Sequence, residues 1–301
     1  MALPTQYVLH GILNSSTFIS QISRAQLSTG MEYLVGHPAG LPVPLFCANL
    51  GTTPMLSFES SQLATLLGLT GASLVTLAGA NTDLHFKEVV NLSNRQADAT
   101  AEHLRFRMAA AALSVDRITL GHRSEGSASC RIIPVWNGSV APVVPAASLA
   151  LAGTPTSATH YLAGPVSLNG TLLTGIQEVT IDYNRQIRMN GGEGQPYITA
   201  CWEESISPVV TIKALNVPWT VYGLDGLALT AYIVYARRLG TTGVVSDATT
   251  TNLIWTGTTG LVSIDDTAAG GNAPGETTIR ITSTVASASG SPLVYSTGAI
   301  V

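Results

Sequence analysis

The chain carries one pattern twice, and that repetition limits its possible folds more than any other feature. Shifted by 149 residues (265 − 116), the segment 98–132 lands without a gap on 247–281. Identities fall at Asp98/Asp247, Ala99/Ala248, Thr100/Thr249, Leu104/Leu253, Ser114/Ser263, Asp116/Asp265, Gly121/Gly270, Gly126/Gly275, Arg131/Arg280 and Ile132/Ile281. Phe106 matches Trp255, Leu113 matches Val262 and Val115 matches Ile264 as conservative pairs. Nearer the front of each half the shift is 154 (201 − 47), where Tyr7/Tyr161, Thr17/Thr171, Ile22/Ile176, Pro42/Pro196, Cys47/Cys201 and Pro54/Pro208 coincide. Turn residues and core residues match in the same order, which chance matching in an Ala/Gly/Thr-rich chain does not produce. The expectation is two tandem domains, 1–153 and 154–301, and three copies of such a doubled subunit can close a ring with pseudo-six-fold symmetry.

With 301 residues, each half is long enough to bury its own core. Charged residues make up only 11% of the chain and apolar residues 46%, so something other than charge must cover the surface. A membrane is a poor candidate. The apolar run 227–236 stops at Arg237 and Arg238, and 140–152 is interrupted by Pro142 and Pro145. The opening MALPTQYVLHGIL lacks the basic region of a secretory signal. Self-association, burying uncharged faces against other copies, is the remaining expectation. The net charge of −4 leaves no basic nucleic-acid footprint, and lysine occurs only at Lys87 and Lys213. Cys47 and Cys201 are repeat equivalents and Cys130 stands alone, which reads as buried free thiols in a reducing cytoplasm.

Strand signals dominate. In Ile176–Tyr183, Val179, Ile181 and Tyr183 share one face, while Glu178, Thr180 and Asp182 share the other. The equivalent stretch 22–29 keeps Leu27 inward, with Arg24 and Ser28 at the polar positions. Val210 and Ile212 oppose Thr211 and Lys213, as Leu56 and Phe58 oppose Ser57 and Glu59. In 277–285, Ile279, Ile281 and Val285 oppose Thr278, Arg280, Thr282 and Thr284. These are antiparallel-sheet patterns. Glycine-bearing segments 31–44 and 185–196 read as long hairpin arms, which reach a neighbour or extend into solvent. A short serine-capped helix is expected over 60–69, with a counterpart at 215–222 distorted by Pro218. The segment 94–112 has helical composition, but its match to 247–259 predicts loop followed by strand. Residues 141–159 read as an extended linker or edge segment.

Catalytic constellations are not evident, and a non-enzyme without cofactor or metal is expected. The six histidines (His10, His37, His85, His103, His122 and His160) show no metal-ligand spacing and read as surface or loop residues. GGEGQP and GGNAPG lack the Lys-Ser/Thr of a phosphate loop and read as turns. Glu203 and Glu204 are adjacent in a strand and therefore point to opposite faces, which rules against a paired acid/base site. The sequons at Asn14, Asn91, Asn137 and Asn169 are what a Ser/Thr-rich chain contains by composition. Asp116 and Asp265 fit turn capping or a repeated interface contact. Arg131 and Arg280, on a polar face, fit a salt bridge across a subunit contact or a solvated sheet face, and both readings stay open.

Taken together, these segments resemble the major tail tube proteins of long-tailed bacteriophages. The second half carries LLTGIQEVTIDYNRQIRMNGGEGQPYITACWEESISPVVTIKAL and LVSIDDTAAGGNAPGETTIRI; the first runs in parallel through FISQISRAQLSTGMEYLVGHPAG, TPMLSFESSQLATLLGL and ALSVDRITLGHRSEGSASCRIIPVWNGSVAPV. The resemblance covers nearly the whole chain, twice, on loose strand and turn patterns. It departs from the family in its doubling. It implies two tail-tube-type β-barrel or sandwich domains, each with a short helix and a hairpin arm, in a homotrimer forming pseudo-hexameric rings. The rings would stack into a tube in the virion, assembled in the host cytoplasm. Partners would be other copies, other tail proteins at the tube ends, and double-stranded DNA passing through the lumen, with no membrane involved. The candidates for a lumen-facing or solvent-facing polar sheet surface are Glu178, Asp182, Thr211, Thr282, Ser57 and Glu59. Arg24, Lys213, Arg131 and Arg280 fit an acidic lumen poorly. Met31, Glu32, Tyr33, Arg185, Arg188 and Glu193 are candidates for the arms, and Arg131, Arg280, Asp116 and Asp265 for interface charges. Rival readings are a double jelly-roll capsid protein forming pseudo-hexameric trimers, a contractile secretion tube subunit, and a carbohydrate-active or hydrolytic enzyme.

Overall fold

Strands with period-two alternation account for most of the structure, a computed structural model that describes residues 6–36, 46–71, 73–77, 81–89, 103–149, 151, 155, 159–192, 194–240, 242–267, 275–285 and 290–301. The first half runs β1 (Gln6–Asn14), β2 (Thr17–Ile19), β3 (Ile22–Ser28), β4 (Met31–Gly36), β5 (Phe46–Thr52), β6 (Met55–Ser60), helix α1 (Leu63–Thr70), β7 (Val75–Thr76), β8 (Thr82–Val89), β9 (His103–Met108), β10 (Ala111–Gly121), β11 (Ser127–Pro134) and β12 (Val144–Leu149). The second runs β13 (His160–Leu168), β14 (Thr171–Leu173), β15 (Ile176–Asp182), β16 (Gln186–Gly191), β17 (Ile198–Ser205), β18 (Val209–Leu215), helix α2 (Trp219–Tyr222), β19 (Ala228–Leu229), β20 (Tyr232–Gly240), β21 (Gly243–Val244), β22 (Asn252–Gly257), β23 (Thr259–Thr267), β24 (Glu276–Thr284) and β25 (Val294–Gly298).

The fold is mainly β, and among the described residues the ladders between strands are antiparallel, with one isolated parallel bridge between Thr52 and Tyr197. A five-stranded sheet has the order β12-β9-β8-β1-β2, and a six-stranded sheet has β14-β13-β20-β22-β25 with β21 beside β20. The largest sheet has ten strands and draws on both halves, in the order β19-β23-β24-β18-β15-β10-β11-β6-β3 with β7 beside β10. Its centre is the β10·β15 pairing, with Arg117 opposite Asp182, Ile118 opposite Ile181, Thr119 opposite Thr180, Leu120 opposite Val179 and Gly121 opposite Glu178. Two further hairpins, β4·β5 and β16·β17, stand apart as two-stranded arms.

Alternation along the ten-stranded sheet sends one set of side chains into a core that the five- and six-stranded sheets cover. Leu56, Ile118, Val179, Ile181, Val210, Ile212, Ile279 and Ile281 are all essentially inaccessible there. Trp255 of β22 crosses the core and donates its indole N–H to the hydroxyl of Tyr183 at 3.1 Å, both side chains being fully buried. β1 and β13 each break register against their neighbour, at Leu9/Gly11 and at Ala163/Val166. A glycine sits at each break because a Cβ on Gly11 would lie 2.5 Å from the Ile19 carbonyl oxygen, and one on Gly164 would lie 2.6 Å from that of Tyr235.

The helices are shorter than the sequence suggests. α1 begins at Leu63, not at the serines, with Gln62 in the cap position. The Ser60 hydroxyl instead accepts the Gln62 N–H at 3.2 Å, while Gln62 Oε1 accepts the Ser20 N–H at 2.9 Å. Leu63, Leu66 and Leu67 are buried as expected, and Gly71 closes the helix in the left-handed region (φ 55°). In the second half Pro218 occupies the cap position, and one turn follows it. Within the expected linker, 144–149 forms an edge strand, whereas the proposed cut near Gly153 lies outside the described residues. Val285 is exposed because β24 ends one residue before it.

Candidate functional site

The face of the ten-stranded sheet turned away from the core is polar, and its side chains fall into rows that cross both halves. One row runs Arg24, Glu59, Ser129, Arg117, Asp182, Val209, Thr282 and Leu261, one residue from each of eight strands. The next runs Ser127, Thr119, Thr180, Thr211, Arg280 and Ser263, and a third runs Gly121, Glu178, Lys213, Thr278 and Asp265. Gln26, Ser57, Arg131 and Ser114 complete the surface in the first half. Glu178, Asp182, Thr211, Thr282, Ser57, Glu59, Arg131, Arg280, Asp116 and Asp265 therefore share one face, although they come from widely separated parts of the chain.

Charges on this face nearly balance, with one anion in excess. Arg24, Arg117, Arg131, Lys213 and Arg280 are five cations; Glu59, Asp116, Glu178, Asp182, Asp265 and Glu276, the last continuing the outward side of β24 beyond Thr278, are six anions. Of the four cations expected to fit an acidic lumen poorly, Arg131 and Lys213 pair with carboxylates on this face. Arg117 donates to Asp182 (Nε to Oδ2, 3.0 Å) across the β10·β15 seam, and Lys213 lies 3.5 Å from Glu178. Arg131 donates to Asp116 (2.8 Å to Oδ1), which also accepts the Ser114 hydroxyl at 2.8 Å. This hydrogen bond to the carboxylate holds the Arg131 guanidinium above its ordinary pKa. A bulge between Val115 and Arg117 lets Asp116 and Arg117 serve different partners; β23 has no such bulge. Among the described residues no ion pair involves Arg24, Arg280 or Asp265. A hollow of about 350 Å³ on the first-half side is lined by Arg24, Ser57, Glu59, Asp116 and Arg131.

The arms present apolar surface. Met31, Tyr33, Leu34 and Leu50 on one, and Met189 and Trp202 on the other, are exposed, Tyr33 to 63%. Glu32 is exposed as well, and exposed Arg188 pairs with Glu204 at 2.9 Å. Arg185 departs from expectation. Its side chain is fully buried at the arm's root, in contact with Glu203 and with its guanidinium carbon 5.5 Å from the centroid of the Tyr183 ring, so it anchors the arm instead of presenting it. Glu193 lies outside the described residues. The second arm leans on the first half, where the Pro196 carbonyl accepts the Thr52 hydroxyl (3.1 Å) and the Ile198 carbonyl accepts the Trp136 N–H (2.7 Å).

Other sequence candidates have structural roles. His85 and His103 are buried, not in surface loops, and His103 Nδ1 accepts the Glu88 N–H at 3.2 Å. Burial draws the His85 pKa below its ordinary value. Of the cysteines only Cys130 is buried; Cys47 is exposed and Cys201 half-buried, both on arm strands. Asn137 and Asn169 cap turns through their side-chain oxygens. Among the described residues no cluster of three or more His, Cys, Asp or Glu could hold a metal ion, and no helix is long and apolar enough to cross a membrane. Sequence reasoning missed the β10·β15 seam and the Trp255–Tyr183 bond, because alternation marks a strand's faces but not its neighbour. No protein-family model matches the chain, and no curated protein is significantly similar to it.

Proposed function

We propose that the chain is a structural virion protein, the subunit of a phage tail tube. In this reading 1–153 and 154–301 are tandem copies of one tube domain, and three chains close a pseudo-six-fold ring. Rings stack through the arms, and the bore conducts double-stranded DNA into the host.

One observation carries the reading: each half contributes four long strands to a common sheet in the same order, β10-β11-β6-β3 and β23-β24-β18-β15. The covering sheets follow suit, since β1 pairs β2 and β8, β8 pairs β9 and β9 pairs β12, just as β13 pairs β14 and β20, β20 pairs β22 and β22 pairs β25. His103 and Asn252, equivalent in position but different in chemistry, each accept a backbone N–H from the neighbouring strand, of Glu88 and of Arg238.

The dimensions suit a conduit. Three chains bring 24 long strands (3 × 8). At about 4.8 Å between strands and a tilt of about 40°, a closed barrel of that size has a backbone diameter of roughly 48 Å, and side chains about 5 Å deep leave a bore of roughly 38 Å. That bore admits duplex DNA. If this slightly acidic polar face lines it, the phosphates meet no net positive field, so counterions stay on the DNA and the genome slides. Electron microscopy of the purified protein at increasing concentration, together with its solution mass, tests the reading. Annuli of three times 31.2 kDa and striated rods are expected. Polyhedral shells, or a monomer at every concentration, refute it.

A further inference from the structure

The geometry points to the seam between chains: the open edge of β3 pairs antiparallel with the open edge of β23 in the next copy, Ser28 standing opposite Asp265. This inference rests on the ring reading above and specifies its interface. The template is inside the chain, where β10 of the first half pairs with β15 of the second. β15 corresponds to β3 by the front shift of 154, so Asp182 maps to Ser28 and Tyr183 to Thr29. β10 corresponds to β23, and the register against the next strand fixes the match: Arg117 faces Ser129, Asp265 faces Thr278, and 278 − 129 is again 149.

Both edges are open among the described residues. β3 ends the ten-stranded sheet; on β23, β19 and the turn before it cover 260–262 and the Asp225 carboxylate accepts the Ile264 N–H at 2.9 Å, leaving the backbone of 265–267 without a partner on that side. The hydrogen-bonding phase also agrees. Thr53 donates its N–H to Gly30 at 3.0 Å, so, counting back by twos along the ladder, Ser28, Gln26 and Arg24 address β6, while Ala25 and Leu27 turn their N–H groups outward. The internal seam has the same phase, since Tyr183 donates its N–H outward to Asp116 at 2.9 Å. A second contact points the same way. The arm β16·β17 crosses that seam to Thr52 and Trp136, whose counterparts at shifts of 154 and 149 are Ile206 and Val285, and Val285 is 41% exposed in the isolated chain.

Arg117 and Asp182 form a non-hydrogen-bonded pair, with Cα atoms about 4.5 Å apart in such ladders, and the same spacing at Ser28 and Asp265 is within reach of a disulfide. In a chain carrying Cys47→Ser and Cys201→Ser, Ser28→Cys combined with Asp265→Cys is expected to give dimers and trimers on a non-reducing gel when oxidised during assembly. Neither single variant should give trimers. Ala25→Pro removes one outward N–H and leaves the β6 ladder intact; it should lower the assembled fraction at least tenfold with unchanged monomer melting. Annuli that form without the cross-link, or Ala25→Pro chains that assemble like the wild type, overturn the seam but leave the ring. Open filaments that do cross-link keep the seam and overturn the three-chain ring, and a chain that never associates overturns both. If Ala25→Pro does not fold, the cross-link alone decides.

Discussion

Tyr183→Phe and Trp255→Phe, singly and together, test whether the internal seam is held rigid by the bond beneath it. Tyr183 sits at the end of β15, donates its N–H to the Asp116 carbonyl across the seam, and receives the Trp255 indole N–H at 3.1 Å. Both rings are at 0% exposure, and burial raises the tyrosine's pKa, so the hydroxyl stays neutral across the usable pH range. Removing it leaves a buried indole N–H without its acceptor, at a cost of about 1–3 kcal/mol. Trp255→Phe strands the hydroxyl and opens a cavity, for about 2–4 kcal/mol.

In the double variant the cavity remains, but no polar group is left orphaned. Its cost should fall short of the sum of the singles by about 1–2 kcal/mol. Urea unfolding of dilute, unassembled protein measures all four species, with constant m-values and coincident tryptophan fluorescence and circular dichroism as the two-state check. Additivity to within about 0.5 kcal/mol would falsify the coupling and with it the claim that the six-stranded sheet pins the seam.

Three further outcomes follow from the geometry. Below the unfolded histidine pKa of about 6.5, the unfolded chain binds a proton that buried His85 resists, chiefly through desolvation, with His10, Arg105 and Arg107 adding to it and Asp83 opposing. Stability is thus complete above that pH and lost as pH falls toward the lowered folded value; the drop in urea midpoint between about pH 7.5 and about pH 5.5 should shrink in His85→Gln, and an unchanged drop refutes the assignment. Thiol labelling of the native chain should modify exposed Cys47 first, Cys201 more slowly and Cys130 only on unfolding, since burial raises the pKa of the latter two; equal rates contradict this. Thr211→Lys with Thr282→Lys adds two cations to this slightly acidic face without breaking an ion pair, six per ring of three. DNA retention by assembled tubes should rise, and the slope of log affinity against log salt should steepen by about 0.9 per phosphate engaged; unchanged retention removes this face from the bore.

How much of this was legible depended on what each signal encodes. Alternation in IQEVTIDY identified Val179 and Ile181 as core and Glu178 and Asp182 as their opposite, because pleat geometry is local. The repeat carried the argument past misleading composition at 94–112, where β9 begins at His103 and the residues before it lie outside the described set. What stayed illegible was non-local. Nothing in the residues around Asp182 names Arg117 as its partner, and the buried fate of Arg185 depends on Tyr183 and Glu203 converging on it from a strand end and an arm. His85 and His103 were misjudged as surface residues because solvation preference gives way wherever a backbone donor or a closed sheet supplies another environment.

In the proposed ring, carrying two tube domains on one chain would change the physics of closure. Six separate domains would have to form six seams by collision, each with its own cost in translational freedom; three doubled chains form only three that way, because the other three close at the effective concentration of a tether. The two kinds of seam differ accordingly in chemistry. The internal one carries Arg117–Asp182, while the pairing inferred between chains sets Ser28 against Asp265, a neutral acceptor or donor against a carboxylate. An ion pair half open to water adds little beyond about 1 kcal/mol, so specificity between chains must come from ladder register and arm contacts rather than from charge. A ring built this way should separate first at its intermolecular seams under rising denaturant, releasing intact chains before they unfold. Loss of ring mass should therefore precede loss of Trp255 burial, and simultaneous loss of both would show that the chain has no stability apart from the ring.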